Sequence, residues 1–232
     1  LRATVLSRMG YLDRALDAAT ETLRLRTAAL SAEHQDTITA RQLLGTIQLK
    51  IGRVSEAAAT LASTVQLLER VQGADNADTI DARRLHGVTL RYGGRYQESV
   101  DVLRRVVDDH KRVFGETHPD HGTNLAALAT SLQAAGDVAA AISAIDRAVE
   151  LGIATRGPTH PTILVRRMTA MSMHEWAGLA PNAEDLQPIV DGLTERLGAE
   201  HPDTLAARHL HAVLLSRGGA VSRALELMRT IA

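Results

Sequence analysis

The chain has 232 residues, a formal net charge of −1 and no cysteine; 45% of its residues are hydrophobic, 23% charged and 2% aromatic. That composition is globular rather than disordered. It excludes disulfide staples, thiolate catalysis and cysteine-ligated zinc, and supplies no bulk attraction to nucleic acid or an acidic membrane. With so few aromatics, alanine and leucine must fill the core, which suits helices packed on helices better than a sheet. No apolar run approaches the roughly 20 residues of a membrane span, so a soluble protein of the reducing cytoplasm is expected.

Two markers recur along the chain with one period. A turn signature appears at His34-Gln-Asp-Thr, Asn76-Ala-Asp-Thr, His118-Pro-Asp-His, His160-Pro-Thr-Ile and His201-Pro-Asp-Thr, in steps of 42, 42, 42 and 41. Glycines at Gly10, Gly52, Gly94, Gly136, Gly178 and Gly219 keep the same beat. Such self-similarity is the mark of a repeat architecture. It divides the chain into a partial repeat 1–33, four full repeats 34–75, 76–117, 118–159 and 160–200, and a partial repeat 201–232.

Each period predicts two helices. Helix A runs from the histidine turn to the glycine, for example Asp36 to Ile51. Proline loses no hydrogen bond in a first helical turn, aspartate there opposes the positive end of the dipole, and glycine permits the chain to reverse. Helix B follows, with apolar residues along one face: Val54, Ala57, Ala58, Leu61, Val65 and Leu68, then Tyr96, Val100, Leu103, Val107 and Phe114, then Val138, Ala141, Ile142, Ile145 and Val149. Seven residues before the glycine stand Gly45, Gly87, Ala129, Met171 and Ala212; five after it stand Ala15, Ala57, Ser99, Ala141 and Ala224. Small residues at both places let helices A and B approach closely. A lone hairpin cannot bury its apolar face, so neighbours must stack into one continuous core. Leu1 is expected inside a helix A and Ala232 at the end of a helix B, with both ends of the stack open.

The repeat at 160–200 departs from the rest. It holds Met168, Met171, Met173 and the chain's only tryptophan, Trp176, and lacks one residue. The stripe Leu186, Ile189, Val190, Leu193 resumes one position early, which places the deletion within Leu179–Asp185 and Pro188 near the start of a late helix. Met171 in a slot for small residues should push its two helices apart.

The period of 42, the His-Pro-Asp-Thr turn and the small residue in helix A resemble the tetratricopeptide repeats of kinesin light chains. The stretches Thr204-Leu-Ala-Ala-Arg-His-Leu-His-Ala and Asp81-Ala-Arg-Arg-Leu-His-Gly resemble related bacterial arrays often carried behind a nucleotide-binding NB-ARC domain. The resemblance covers essentially the whole chain and implies an all-α, right-handed α-α superhelix of about five hairpins. It also implies a protein-binding scaffold whose A helices line a concave groove. The family often holds peptide backbone with an asparagine nine residues before the glycine; here that slot carries Leu43, Leu85, Ala127, Thr169 and Leu210.

Transferred to this chain, the groove positions are Gln42, Thr46, Lys50, Arg84, Arg91, Tyr92, Thr130, Gln133, Met168, Ser172, Trp176, His209 and Arg217. Their arginines and lysine suit an acidic or C-terminal peptide segment; an ordinary solvated face is the plainer alternative. Trp176 is either a hot spot or a filler in a divergent repeat. A second arginine series, Arg41, Arg83, Arg167 and Arg208, is read as structural, with alkyl stems packed between hairpins and heads on acids or carbonyls. The ten histidines mostly belong to the turn pattern, and His174-Glu175 lacks the second histidine of a zinc helix. No phosphate loop, nucleophile elbow or acid pair is present, so no enzyme activity, cofactor or metal is expected. Two other readings stay open: self-association through exposed ends, and a sensor or autoinhibitory segment of a larger NTPase-type signalling protein.

Overall fold

Histidine or asparagine caps the start of the helices Gln35–Lys50, Ala77–Tyr92, Pro161–Trp176 and Pro202–Arg217, and glycine ends the helices Val54–Gln72, Tyr96–Phe114, Val138–Arg156 and Gln187–Leu197. A computed structural model describes residues 2–229, and among these the secondary structure is helical throughout, with no strand. Two units can be distinguished, one ending at Glu116 and one beginning at Thr117. In the first, the helices are α1 (Arg2–Arg8), α2 (Leu12–Leu30), α3 (Gln35–Lys50), α4 (Val54–Gln72), α5 (Ala77–Tyr92) and α6 (Tyr96–Phe114). The second holds α7 (His121–Ala134), α8 (Val138–Arg156), α9 (Pro161–Trp176), a 3-10 turn (Ala183–Leu186), α10 (Gln187–Leu197), α11 (Pro202–Arg217) and α12 (Val221–Arg229). Odd-numbered helices are of type A in the first unit and up to α11 in the second; even-numbered ones are type B. Leu1 and Ala232 lie outside the described residues.

The histidine of the turn has a specific task. Nδ1 of His34, His160 and His201 accepts a hydrogen bond from the backbone N–H two residues on, at 3.2, 3.3 and 3.2 Å. Asn76 Oδ1 does the same for Asp78 at 2.8 Å. Both side chains carry an acceptor three bonds from Cα, which explains why asparagine substitutes for histidine in the pattern. His118 Nδ1 makes the equivalent bond to Asp120 at 3.2 Å, although α7 itself begins only at His121. Capping requires a bare Nδ1, with the ring proton on Nε2.

The A-to-B turn is a Schellman closure: Arg53 N–H donates to Gln48 O, Arg95 to Leu90 O, and Asp137 to Leu132 O, each within 3.0 Å. It needs a left-handed residue, and Gly52, Gly94 and Gly136 supply φ of 82°, 75° and 87°. A second positive-φ position ends each B helix from α2 to α10. Gly73, Gly115, Gly157 and Gly198 stand there at φ 88°, 87°, 85° and 93°, while α2 ends on Ser31 at φ 86°. These glycines also recur every 42 or 41 residues; they mark the B-to-A connection as the first series marks A-to-B.

Close approach of A and B rests on Gly45 and Gly87. A Cβ at either would come within 2.8 Å of Leu61 Cγ or Leu103 Cγ respectively. Both leucines are fully buried, and each contributes about 1.5–3 kcal/mol by leaving water. The core of the first unit continues through Ala15, Ala19, Leu44 and Ile47, and through Ile38, Val65, Leu68 and Ala82. In the second unit Leu164, Leu186, Ile189, Val190 and Leu193 pack together, with Met168 and Met171 against them. Pro188 falls in the first turn of α10. Helix α10 is 11 residues long where α8 has 19. Met171, in the slot that other repeats give to a small residue, packs against the cluster that contains Leu186.

Arg83 is buried and ties three helices: it bonds Glu69 of α4 at 2.8 Å and Asp109 of α6 at 2.7 Å. Asp109 also receives Arg112, which clamps Asp75 in the preceding turn. Arg112 is held charged by this pairing, and Asp75 is pulled below the usual carboxylate range by it. Further along the same edge, Arg70 reaches Glu33 at 2.7 Å, again from a B helix to the turn before it.

Candidate binding surface

Side-chain bonds join successive A helices. In the first unit, Lys50 Nζ of α3 donates to Ser7 Oγ of α1 at 3.2 Å, and Gln42 Nε2 donates to Asp81 Oδ2 of α5 at 3.1 Å. In the second, Arg166 of α9 donates to Thr123 Oγ1 of α7 at 2.6 Å, and Arg217 of α11 pairs with Glu175 of α9. Ser7 and Glu175 both stand three residues before the turn glycine, and Lys50 and Arg217 both stand two before it. The same slots therefore meet in both units.

Every residue of the predicted set has solvent access. Lys50, Tyr92, Ser172, Trp176, His209 and Arg217 are exposed; Gln42, Thr46, Arg84, Arg91, Thr130, Gln133 and Met168 are half-buried. The first unit brings Gln42 and Arg84 together through Asp81, which accepts from both. Arg91 lies over the Tyr92 ring, 4.4 Å from its centroid, a cation–π contact. Two of the four predicted cations thus already hold carboxylates: Arg84 has Asp81 and Arg217 has Glu175. Sequence spacing could not reveal this for Arg217, whose partner comes from the previous hairpin.

The aromatic residues are placed unlike those of most folded chains. The chain has five, and all are exposed: Tyr11 at 50%, Tyr92 at 59%, Tyr96 at 43%, Phe114 at 37% and Trp176 at 58%. Tyr92 and Trp176 occupy the same slot, the last residue of an A helix.

The hairpin pattern, the two glycine series and the small A-to-B contacts lead to one comparison. Residues 78–153 match the tetratricopeptide repeat model. Solved tetratricopeptide-repeat structures agree over most of the chain. The nearly identical TPR-like repeats of a Podosopora anserina protein described as a kinesin light chain share 23% identity, cover 86% of this chain and 95% of theirs, and superpose with a TM-score of 0.72. BtubC (BKLC) from P. vanneervenii is 12% identical, with 95% and 89% covered and a TM-score of 0.73. A Rap protein complexed with competence and sporulation factor is 14% identical, with 99% of this chain and 60% of that one covered, at a TM-score of 0.70. These likenesses establish the fold as the all-α tetratricopeptide α-α superhelix. No curated protein sequence matches the chain.

No cluster of three or more histidine and acidic side chains able to hold a metal occurs among the described residues. No described helix is long and apolar enough to cross a membrane. His174 Nε2 contacts Asp146 Oδ2 at 3.1 Å, which links α9 to α8. Two of the histidines outside the turn pattern are wholly or partly buried. His86 and His211 share one slot on α5 and α11, where α3 and α7 carry Leu44 and Leu128. Burial lowers both below the usual imidazole range. At His86, Arg95 lowers it further while Glu98 opposes; at His211, Glu184 opposes burial, Arg223 adds to it and Asp191 opposes.

Proposed function

We propose that this chain is a non-catalytic protein-interaction scaffold that holds a peptide or protein segment against the A-helix face of its hairpins. The observation that carries this reading is the exposure of Tyr92 and Trp176, 59% and 58%, at the same slot at the end of two A helices. Each of the two leaves more than half of its surface in water, and a partner that covered it would gain the apolar and π contacts that aromatic side chains supply. Tryptophan, tyrosine and arginine are also the residues most enriched at binding hot spots. Tyr92 with Arg91, and Trp176 with Ser172 and Met168, give each unit a rigid amphipathic anchor on an A helix. Gln42, Thr46, Thr130, Gln133 and His209 add hydrogen-bonding groups beside them.

Partner charge follows from the pairing on this face. Arg84 and Arg217 are matched by Asp81 and Glu175, so preference for an acidic segment draws on Lys50 and Arg91. The test is selection of binding peptides from an unbiased library, followed by titration of the selected peptides onto variants. Trp176→Ala and Tyr92→Ala should each weaken a peptide that uses their unit by about 2 kcal/mol, roughly thirtyfold in Kd, with the melting temperature unchanged. Selected peptides that bind both variants as they bind the wild type would overturn the assignment.

A second reading is favoured by one observation. Val213, Val221, Leu225 and Met228 line an apolar groove between α11 and α12. Self-association through this groove would bury it, and light scattering across a concentration series distinguishes a dimer from the monomer expected of the first reading.

A further inference from the structure

The one short step in the repeat period, 41 residues instead of 42, has a three-dimensional consequence. In the first unit and in α8, helix B starts two residues after the turn glycine and runs for 19 residues. After Gly178 the chain is irregular through Asn182, with Ala180 in the left-handed region at φ 44°. A single 3-10 turn follows before α10 begins. The first turns of helix B are thereby replaced by this stretch, which lines a cavity of about 470 Å³, a size typical of ligand sites. Its wall is apolar at Ala183, Leu214 and Leu215, and it carries two carboxylates, Glu175 and Glu184.

Each carboxylate is held by an arginine from the next hairpin. Arg223 meets Glu184 at 2.8 Å, and Arg217 pairs with Glu175. The two sides of the second pair differ sharply in solvation. The Glu175 side chain is 13% exposed, whereas that of Arg217 is 67% exposed. Glu175 is a shielded acceptor, and Arg217 is a largely solvated cation at the cavity wall.

We propose that this cavity binds an organic cation, a primary ammonium or guanidinium group on a short apolar stem, by exchange with Arg217 at Glu175. The asymmetry of the pair decides the sign of the ligand. A cationic ligand sends Arg217 into water, where it already mostly resides. An anionic ligand would draw Arg217 away and leave a shielded carboxylate without a counter-charge, which is the costly half of breaking such a pair. The stem of the ligand loses water against Leu214, Leu215 and Ala183. The same chemistry belongs to a free amine and to a lysine or arginine side chain of a protein segment. The cavity shares Arg217 and Glu175 with the A-helix face, but cation binding here does not require a partner held along that face.

The test uses calorimetric titration of the full chain with butylguanidinium, butylammonium, butyrate and an N-acetylated pentapeptide bearing one arginine among alanines. The cationic probes should bind saturably and butyrate should not. Arg217→Ala removes the internal competitor and should tighten cation binding about fivefold, the size of one exposed ion pair. Glu175→Gln keeps the shape of the side chain and should weaken binding at least as much. A peptide that binds more tightly than butylguanidinium assigns the site to a partner's side chain, and the reverse order assigns it to a free amine. Absence of saturable cation binding to the Arg217→Ala protein, weaker binding by that variant than by wild type, or preference for butyrate would overturn the proposal. Because Arg217 is largely solvated, that variant remains informative even where Glu175→Gln lowers stability.

Discussion

Ser31 occupies a backbone conformation that four other B helices give to glycine. Its φ of 86° and ψ of 164° nearly coincide with the 88° and 162° of Gly73 and the 87° and 159° of Gly115. That region is essentially reserved for glycine, and a residue with a Cβ held there costs on the order of 1–3 kcal/mol. Ser31→Gly removes this strain, and gives back roughly 0.5–1 kcal/mol through the greater freedom of glycine in the unfolded chain. The net gain should be about 1 kcal/mol, or roughly 2–4 °C in melting temperature for a chain of this size. The serine hydroxyl makes no hydrogen bond that would be lost with it, and the cap bond from its own N–H to Thr27 O at 3.2 Å is retained. The converse change, Gly115→Ser, should cost 1–3 kcal/mol by the same reasoning. Thermal and urea unfolding of both variants beside the wild type measure the effect. A destabilised Ser31→Gly protein, or a neutral Gly115→Ser protein, would refute the argument from backbone geometry.

Two further predictions concern histidine. Replacing His34 or His201 by alanine removes a helix cap and should cost about 1 kcal/mol each, while His→Asn at the same positions should be close to neutral because Asn76 already performs the task. Denaturant midpoints of the paired variants check this. For His211 the folded chain holds its imidazole below the ordinary range near 6.5 because the ring is buried. As pH falls through that range the unfolded chain takes up a proton before the folded chain does. Stability therefore declines from about pH 6.5 downward and stops declining only below the folded value. His211→Leu, which copies Leu44 and Leu128, should flatten part of this acid slope; an unchanged slope in urea midpoints measured across pH would contradict it.

The repeat frame was legible because its markers answer to backbone geometry alone. A residue at positive φ, or one that caps a helix, is chosen by its own dihedral angles and hydrogen bonds, so Gly52 or His160 announces its role without reference to distant residues. The B-helix glycines from Gly73 to Gly198 were equally present in the sequence, at the same period, and the serine at position 31 hid the series at its start. The histidine cap was visible only as a pattern, since the turn's proline and aspartate already accounted for a helix start. The solvent-facing positions of the A helices followed from spacing, as Tyr92 and Trp176 show. What spacing could not supply is how charges resolve across hairpins. Arg84 answers to Asp81 three residues away, yet Gln42 and Arg217 find their partners 39 and 42 residues off in sequence, and Arg83 draws its acids from two different B helices. The cavity beside Glu175 borders the break in helix B, which the stripe Leu186 to Leu193 located without showing the cavity itself.

Trp176 is the chain's only tryptophan and is 58% exposed, so its intrinsic emission reports directly on the A-helix face of the second unit. In a titration with a library-selected peptide that requires this unit, the account predicts emission typical of a solvated indole in the free protein and a saturable blue shift whose midpoint equals the calorimetric Kd. Calorimetric binding by such peptides with no change in the indole emission would contradict the claim that the A-helix face is where partners are held.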